Sequence, residues 1–205
     1  MEVFVEEIEK HIQVNEFHAG NVGDFLAFWQ GLKDKYMGFE IDFCYHHCDV
    51  PVEFMSEIDA VLLESCIETR LAQANFISVG DLELTLVTAE NFIKFAELHD
   101  SANPSMYWSS KRIEKDLNRW LIYMCKDNYI LMSLWSEIAE IYKIEMNDRN
   151  IGEVLVSKAS EYAFKTGKTG VLCMVDDDAL KEFEILQAVG FIRCGRYIAY
   201  QTIIK

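Results

Sequence analysis

Prolines number two and glycines ten in 205 residues, and they fall singly, so no low-complexity linker marks a domain boundary. Basic residues are also scarce: 19 stand against 34 acidic ones, a formal charge of −15. That balance repels a phosphate backbone, which excludes a general nucleic-acid binder and favours a neutral or cationic small partner. No apolar run approaches the about 20 residues needed to cross a bilayer, so no membrane partner is expected. The opening Met1–Lys10 is acidic and carries no leader signature, which points to a cytoplasmic protein. Six cysteines, Cys44, Cys48, Cys66, Cys125, Cys173 and Cys194, are dispersed and are expected as reduced thiols, most of them in the core.

What is present is apolar residue in quantity. Half the chain is hydrophobic, enough for one sizeable core, or for a core with a small satellite domain. Periodicity predicts a short helix or capping segment over Val3–Ile12, a strand at Gln13–Phe17, a helix over Asn21–Lys35 and a strand at Phe39–Tyr45. Pro51 then suits the first turn of a long helix, Val52–Ala74. Gly80-Asp81 is a turn signal and divides the chain into residues 1–80 and 81–205. After it come a strand, Leu82–Thr88, and helices at Ala89–His99 and Ser109–Asn118. Three meander strands follow: Trp120–Cys125, Tyr129–Leu134 and Ala139–Met146. A helix over Gly152–Thr166, a buried-type strand Val171–Val175, a helix Asp178–Val189 stopped by Gly190 and a last strand region Phe191–Ile204 complete the order. A meander followed by a strand-helix-strand crossover implies an α/β (α+β) fold, a mixed sheet with helices on its faces.

Two local sequences sit at telling places in that order. Asn147-Asp148-Arg149-Asn150-Ile151-Gly152 joins a strand to a helix, and Leu186-Gln187-Ala188-Val189-Gly190-Phe191 ends the penultimate helix. With the element order, they resemble the GNAT superfamily of N-acetyltransferases over about 120 residues. The resemblance implies a mostly antiparallel GNAT-like sheet flanked by helices, with a smaller N-terminal α/β unit. It also implies acetyl-CoA as cosubstrate. In the family, the first sequence reads Gln/Arg-x-x-Gly-x-Gly/Ala, and backbone N–H groups at the helix start hold the pyrophosphate. Gly152 matches its last position, Asn147 replaces Gln/Arg and Asn150 replaces the first glycine. Arg149, Asn150, Ile151, Gly152 and Glu153 are the residues implied, with Arg149 offsetting the Glu153 carboxylate. The backbone of Ile144, Glu145 and Met146 is implied to meet the pantetheine amides.

In the second sequence Gly190-Phe191 fits the family, but Leu186 stands where many members have the tyrosine that protonates the departing thiolate. Leu186 is then a cofactor contact only, and either Tyr197 or Tyr200 on the last strand region is the alternative acid, or water serves, or the domain does not catalyse. Glu140, in Ala139-Glu140-Ile141, resembles the glutamate that serves several members as base for the acceptor amine; a partly buried carboxylate suits that task.

Other groupings imply less. Cys44, His46 and Cys48 share a strand face, but a structural zinc wants a fourth ligand and no second Cys/His pair has finger-like spacing, so no metal is expected. Tyr107 and Trp108 are core aromatics or the lining of an acceptor pocket. The strand and helix order within residues 1–80 echoes Leu82–His99, as a degenerate GNAT-like half or an added layer would. The helix Val52–Ala74 offers a homodimer surface. The reading is an acetyl-CoA-dependent N-acetyltransferase for a small amine; the alternative is a GNAT-fold protein without chemistry that binds a ligand or partner.

Overall fold

The computed structural model describes residues 2–46, 52–104 and 106–205. Contacts divide the chain into two compact units, one running to Ile67 and including Gly195–Lys205, the other Glu68–Cys194. The turn at Gly80-Asp81 is therefore not the boundary. Two long strands, β4 (Val61–Ala72) and β10 (Ile192–Ile203), each contribute residues to both units, and such a division leaves no mark in composition.

The first unit opens with β1 (Glu2–Glu6) antiparallel to β2 (His11–Asn15), with Val3 opposite Val14. This corrects the expected helix over Val3–Ile12. The turn between the strands includes Lys10 with a positive φ of 51°, which breaks any helix. Asn21 accepts a hydrogen bond from the Asp24 amide at 3.0 Å and so starts α1 (Val22–Tyr36). That helix crosses over to β3 (Glu40–His46), which lies parallel to β2 with His11 opposite Glu40. Phe25, Trp29 and Leu32 recur at helical spacing and bury against Ile12, Val14, Ile41 and Phe43. Each such side chain contributes about 1.5–3 kcal/mol of transfer free energy. The residues of β10 from Tyr197 to Ile203 pair antiparallel with β3.

The expected long helix Val52–Ala74 is instead a short helix, α2 (Val52–Glu57), followed by β4. Asp59 adopts a left-handed φ of 53° just after α2 and ends it. Beyond that point β-branched Val61, Ile67 and Thr69 favour extended backbone, so the long helix on which a homodimer surface was expected is not formed.

In the second unit, β5 is only Thr85–Leu86, paired with β6 (Trp120–Cys125). α3 (Phe92–Ala102) and α4 (Ser110–Glu114) precede β6, with a 3₁₀ turn at Leu117–Arg119 between α4 and β6. Strands β6, β7 (Asn128–Ser133) and β8 (Ile138–Glu145) form the expected antiparallel meander. Helix α5 (Arg149–Lys165) then crosses to β9 (Gly170–Asp176), parallel to β8, and α6 (Leu180–Val189) follows. One core packs Leu155, Val156, Ala159 and Ala163 of α5 on Ile130, Ala139, Ile141 and Val171. A separate core gathers Phe95 and Ile113 from the preceding helices onto Ile122, Tyr129 and Leu131. The sheets are mixed and mostly antiparallel, with helices packed on them.

An internal echo exists, though not with Leu82–His99. The order strand, helix, parallel strand, helix, strand occurs as β2-α1-β3-α2-β4 and again as β8-α5-β9-α6-β10.

Candidate active site

β8 is irregular in two ways at one place. Against β7, Leu131 faces Lys143 and Met132 faces Ile141, so Tyr142 is an extra residue in a β-bulge. Against β9, pairing begins at Ile138 with Gly170 and ends at Ile141 with Cys173, although β8 runs on to Glu145 and β9 to Asp176. From Tyr142 onward the edge of β8 that faces β9 carries unpaired peptide groups, which is where an extended amide-bearing chain adds to a sheet. In the first unit, by contrast, every residue of β2 is paired with β3, and no comparable opening exists between them.

Beside the bulge lies a cavity of about 310 Å³, lined among others by Trp108, Trp120, Trp135, Glu140 and Tyr142. Three of those rings stand edge-on to one another: Trp108 to Trp120 at 5.0 Å between centroids, Trp120 to Tyr142 at 5.4 Å and Trp108 to Tyr142 at 6.0 Å. The Tyr142 hydroxyl is hydrogen-bonded to Glu140 and to Trp108. An indole N–H only donates and a carboxylate accepts, so the chain of protons runs from Trp108 through Tyr142 to Glu140. Burial, and then the Glu140 charge, push ionisation of Tyr142 well above the ordinary phenol range, which keeps the hydroxyl a donor.

The walls are fixed from behind. Fully buried His99 bonds through Nε2 to the Trp108 carbonyl at 2.7 Å and through Nδ1 to the Tyr129 hydroxyl at 2.8 Å. The carbonyl accepts, so Nε2 carries the hydrogen and Nδ1 accepts from tyrosine. Asp100 accepts from the Ser110 amide at 2.9 Å and holds the start of α4, which leads to the cavity residues Arg112, Asp116 and Arg119. Lys168 donates to the carbonyls of Leu134 and Ser136, at 2.6 and 2.8 Å, on either side of Trp135.

The expected pyrophosphate cradle is built differently. α5 begins at Arg149, three residues before Gly152, and its N-cap is Asp148. The Asp148 carboxylate accepts from the amides of Asn150 and Ile151, at 2.8 and 3.2 Å, while the Gly152 amide donates to the Asp148 carbonyl at 3.0 Å. The amides of Asn150, Ile151 and Gly152 are thus already bonded, and the chain's own carboxylate stands where an external anion would. Gly152 is needed for packing: a Cβ there would lie 2.7 Å from Met146 Sδ and 2.9 Å from Ile185 Cδ1. Arg149 does offset Glu153, pairing with it at 2.8 Å and also with Glu184 at 2.8 Å.

The other sequence-predicted residues disperse. Ile144 buries its side chain in the core, and Leu186 is wholly buried there. Ile144 and Glu145 lie on the stretch of β8 that β9 leaves unpaired, and Met146 follows directly. Tyr197 belongs to the first unit, where its hydroxyl donates to Cys44 Sγ at 3.1 Å. Burial and the neighbouring Cys44 push its ionisation far above the usual range. The tyrosine that meets Glu140 is Tyr142. Gly190 needs its freedom: φ is 102°, and a Cβ would fall 2.0 Å from the Asn75 carbonyl oxygen. His47 and Cys48 of the Cys/His cluster lie outside the described residues. Sequence reading passed over Tyr142, although a signal was there. Apolar residues step by two from Ala139 to Ile141 and then by three to Ile144, the spacing a bulge leaves. Arg112, Asp116 and Arg119 carried no such signal.

Comparison of folds places this architecture. A GCN5-related N-acetyltransferase from Sphaerobacter thermophilus superposes with a TM-score of 0.70 at 12% identity, over 99% of this chain and 76% of that one. An acetyltransferase of the GNAT family from Colwellia psychrerythraea superposes with a TM-score of 0.65 at 10% identity, over 97% and 80%. A tandem GNAT protein from the clavulanic acid biosynthesis pathway does so with a TM-score of 0.65 at 12% identity, over 96% and 76%. No protein-family model matches the sequence, and no curated protein is significantly similar to it. The chain has the GNAT fold.

Proposed function

We propose that the second unit is an acetyl-CoA-dependent N-acetyltransferase acting on the amine of a small acceptor. The observation that carries this reading is the bulge in β8. Glu140 and the bulged Tyr142 both line a ring-walled cavity, and from Tyr142 on the same strand runs unpaired by β9. Acetyl-CoA, when bound, supplies an acetyl group already activated as a thioester. The backbone of Ile144, Glu145 and Met146 would hold its amide-bearing arm as an added strand. Glu140 takes a proton from the acceptor nitrogen, because a protonated amine has no lone pair with which to attack. Tyr142 keeps the Glu140 carboxylate oriented by donating to it, and Trp108 orients Tyr142 in turn.

A second reading, a GNAT-fold binder without chemistry, draws support from Asp148, whose carboxylate caps the helix start that would receive the pyrophosphate. The two separate in one experiment. Calorimetric titration with acetyl-CoA is followed by a thiol-release assay over a panel of amines. Binding with release supports the enzyme, and binding without release from any amine supports the second reading. Absence of heat at high micromolar acetyl-CoA would end the first.

A further inference from the structure

The charge of −15 suggests a cationic acceptor, yet the cavity does not share that charge. Two guanidinium groups, Arg112 and Arg119, line it together with two carboxylates, Asp116 and Glu140. Arg119 is held in a particular way. Its Nε lies 2.7 Å from Asp116, and its guanidinium carbon lies 3.4 Å from the centre of the Trp135 ring. Stacking on one face and pairing at Nε fix the plane of the group and leave its outer edge to present the Nη hydrogens. Asp116 is its only acidic partner among the described residues. A guanidinium so fixed loses little freedom when it binds a planar anion, and its paired hydrogens match a carboxylate.

From this we infer that the acceptor carries a carboxylate as well as its amine, on a body with a flat apolar group. The inference rests on reading the cavity as the acceptor site. The carboxylate sits on Arg119 and the amine on Glu140, the two poles lining one cavity. The apolar body meets Trp108 and Trp120, whose edge-on packing with Tyr142 forms a continuous aromatic wall. A cavity of about 310 Å³ lies at the small end of the about 300–1,000 Å³ range for ligand sites, which suits a molecule of amino-acid size and not a peptide. A polyamine would meet as many positive as negative groups on these walls and gain nothing from the second charge.

Three of the four tryptophans line the cavity, so indole fluorescence excited at the red edge reports its occupancy directly, without acetyl-CoA. The probes are phenylalanine, phenethylamine, which lacks only the carboxylate, and spermidine. Phenylalanine is expected to bind at least about tenfold more tightly than phenethylamine, the difference a charge-assisted pair makes. Arg119→Gln should bring the two within about twofold, and Arg119→Lys should restore part of the preference; circular dichroism establishes that both variants fold. Equal or tighter binding of phenethylamine or spermidine by the unaltered protein overturns the inference, as does a preference that survives Arg119→Gln. Lack of saturable binding by phenylalanine up to millimolar concentration overturns it as well. Thiol release is scored separately with the same amines. Release from phenethylamine without any preference for phenylalanine sinks the inference and leaves the acetyltransferase standing. Arg119-dependent binding without release from any amine does the reverse.

Discussion

Tyr142 is the residue of β8 that the bulge leaves without a partner on β7, and its hydroxyl meets the carboxylate of Glu140, two positions back on the same strand. Glu140 thus has a proton donor on its own strand. Glu140→Gln keeps the shape but cannot accept a proton, so turnover is expected to fall by about 100-fold or more with acetyl-CoA affinity unchanged. Tyr142→Phe removes only the orienting bond and should slow turnover less, by about tenfold. A Glu140→Gln enzyme of ordinary speed would remove the carboxylate from the chemistry.

Asp148→Ala tests what the start of α5 is for. Loss of the cap should lower stability by about 1 kcal/mol, read from urea unfolding. The same change frees the amides of Asn150 and Ile151 and removes a negative charge, so acetyl-CoA should bind more tightly. Unchanged or weaker binding in the folded variant would show that the phosphates lie elsewhere.

Two glycines should differ in what an added methyl does. Gly190→Ala forces a left-handed residue and places a carbon on the Asn75 carbonyl, whereas Gly152→Ala meets the ends of two flexible side chains. Overpacking of the second kind costs about 1–3 kcal/mol. The first should cost more, because backbone has to move. Midpoints of urea unfolding in the reverse order would contradict both placements.

Cys194 is exposed, yet its thiol is pushed up to about 11, by burial of its sulfur and by the Glu68 carboxylate 3.3 Å away. Alkylation by iodoacetamide at pH 8 should therefore be slow, and Glu68→Gln should speed it by roughly threefold or more. The sign for stability follows. A thiol raised by folding from its ordinary 9.0 leaves stability at its full value below pH 9, and stability then falls as pH rises through about 11, because the unfolded chain releases the proton first. A Cys194 alkylation rate indifferent to Glu68→Gln would deny the interaction.

The amino-acid sequence determined the meander, the β8-α5-β9 crossover and the stop at Gly190, because turns, caps and apolar periodicity act over a few residues. Glu140 and the stretch Ile144–Met146 are implied only by the GNAT resemblance; the structure places Glu140 on the cavity wall and Ile144 and Glu145 where β9 no longer pairs with β8. Only the tertiary structure decided that Val61–Ala72 is a strand, because pairing with distant chain outweighs local helical spacing. It likewise decided that the Asn150 and Ile151 amides are capped by Asp148, that Gly152 is a packing glycine and that Tyr197 is bonded to Cys44. Arg119 became legible last. Its stacking on Trp135 and pairing with Asp116 depend on where a loop, a 3₁₀ turn and a strand end come together, and no local pattern records that meeting.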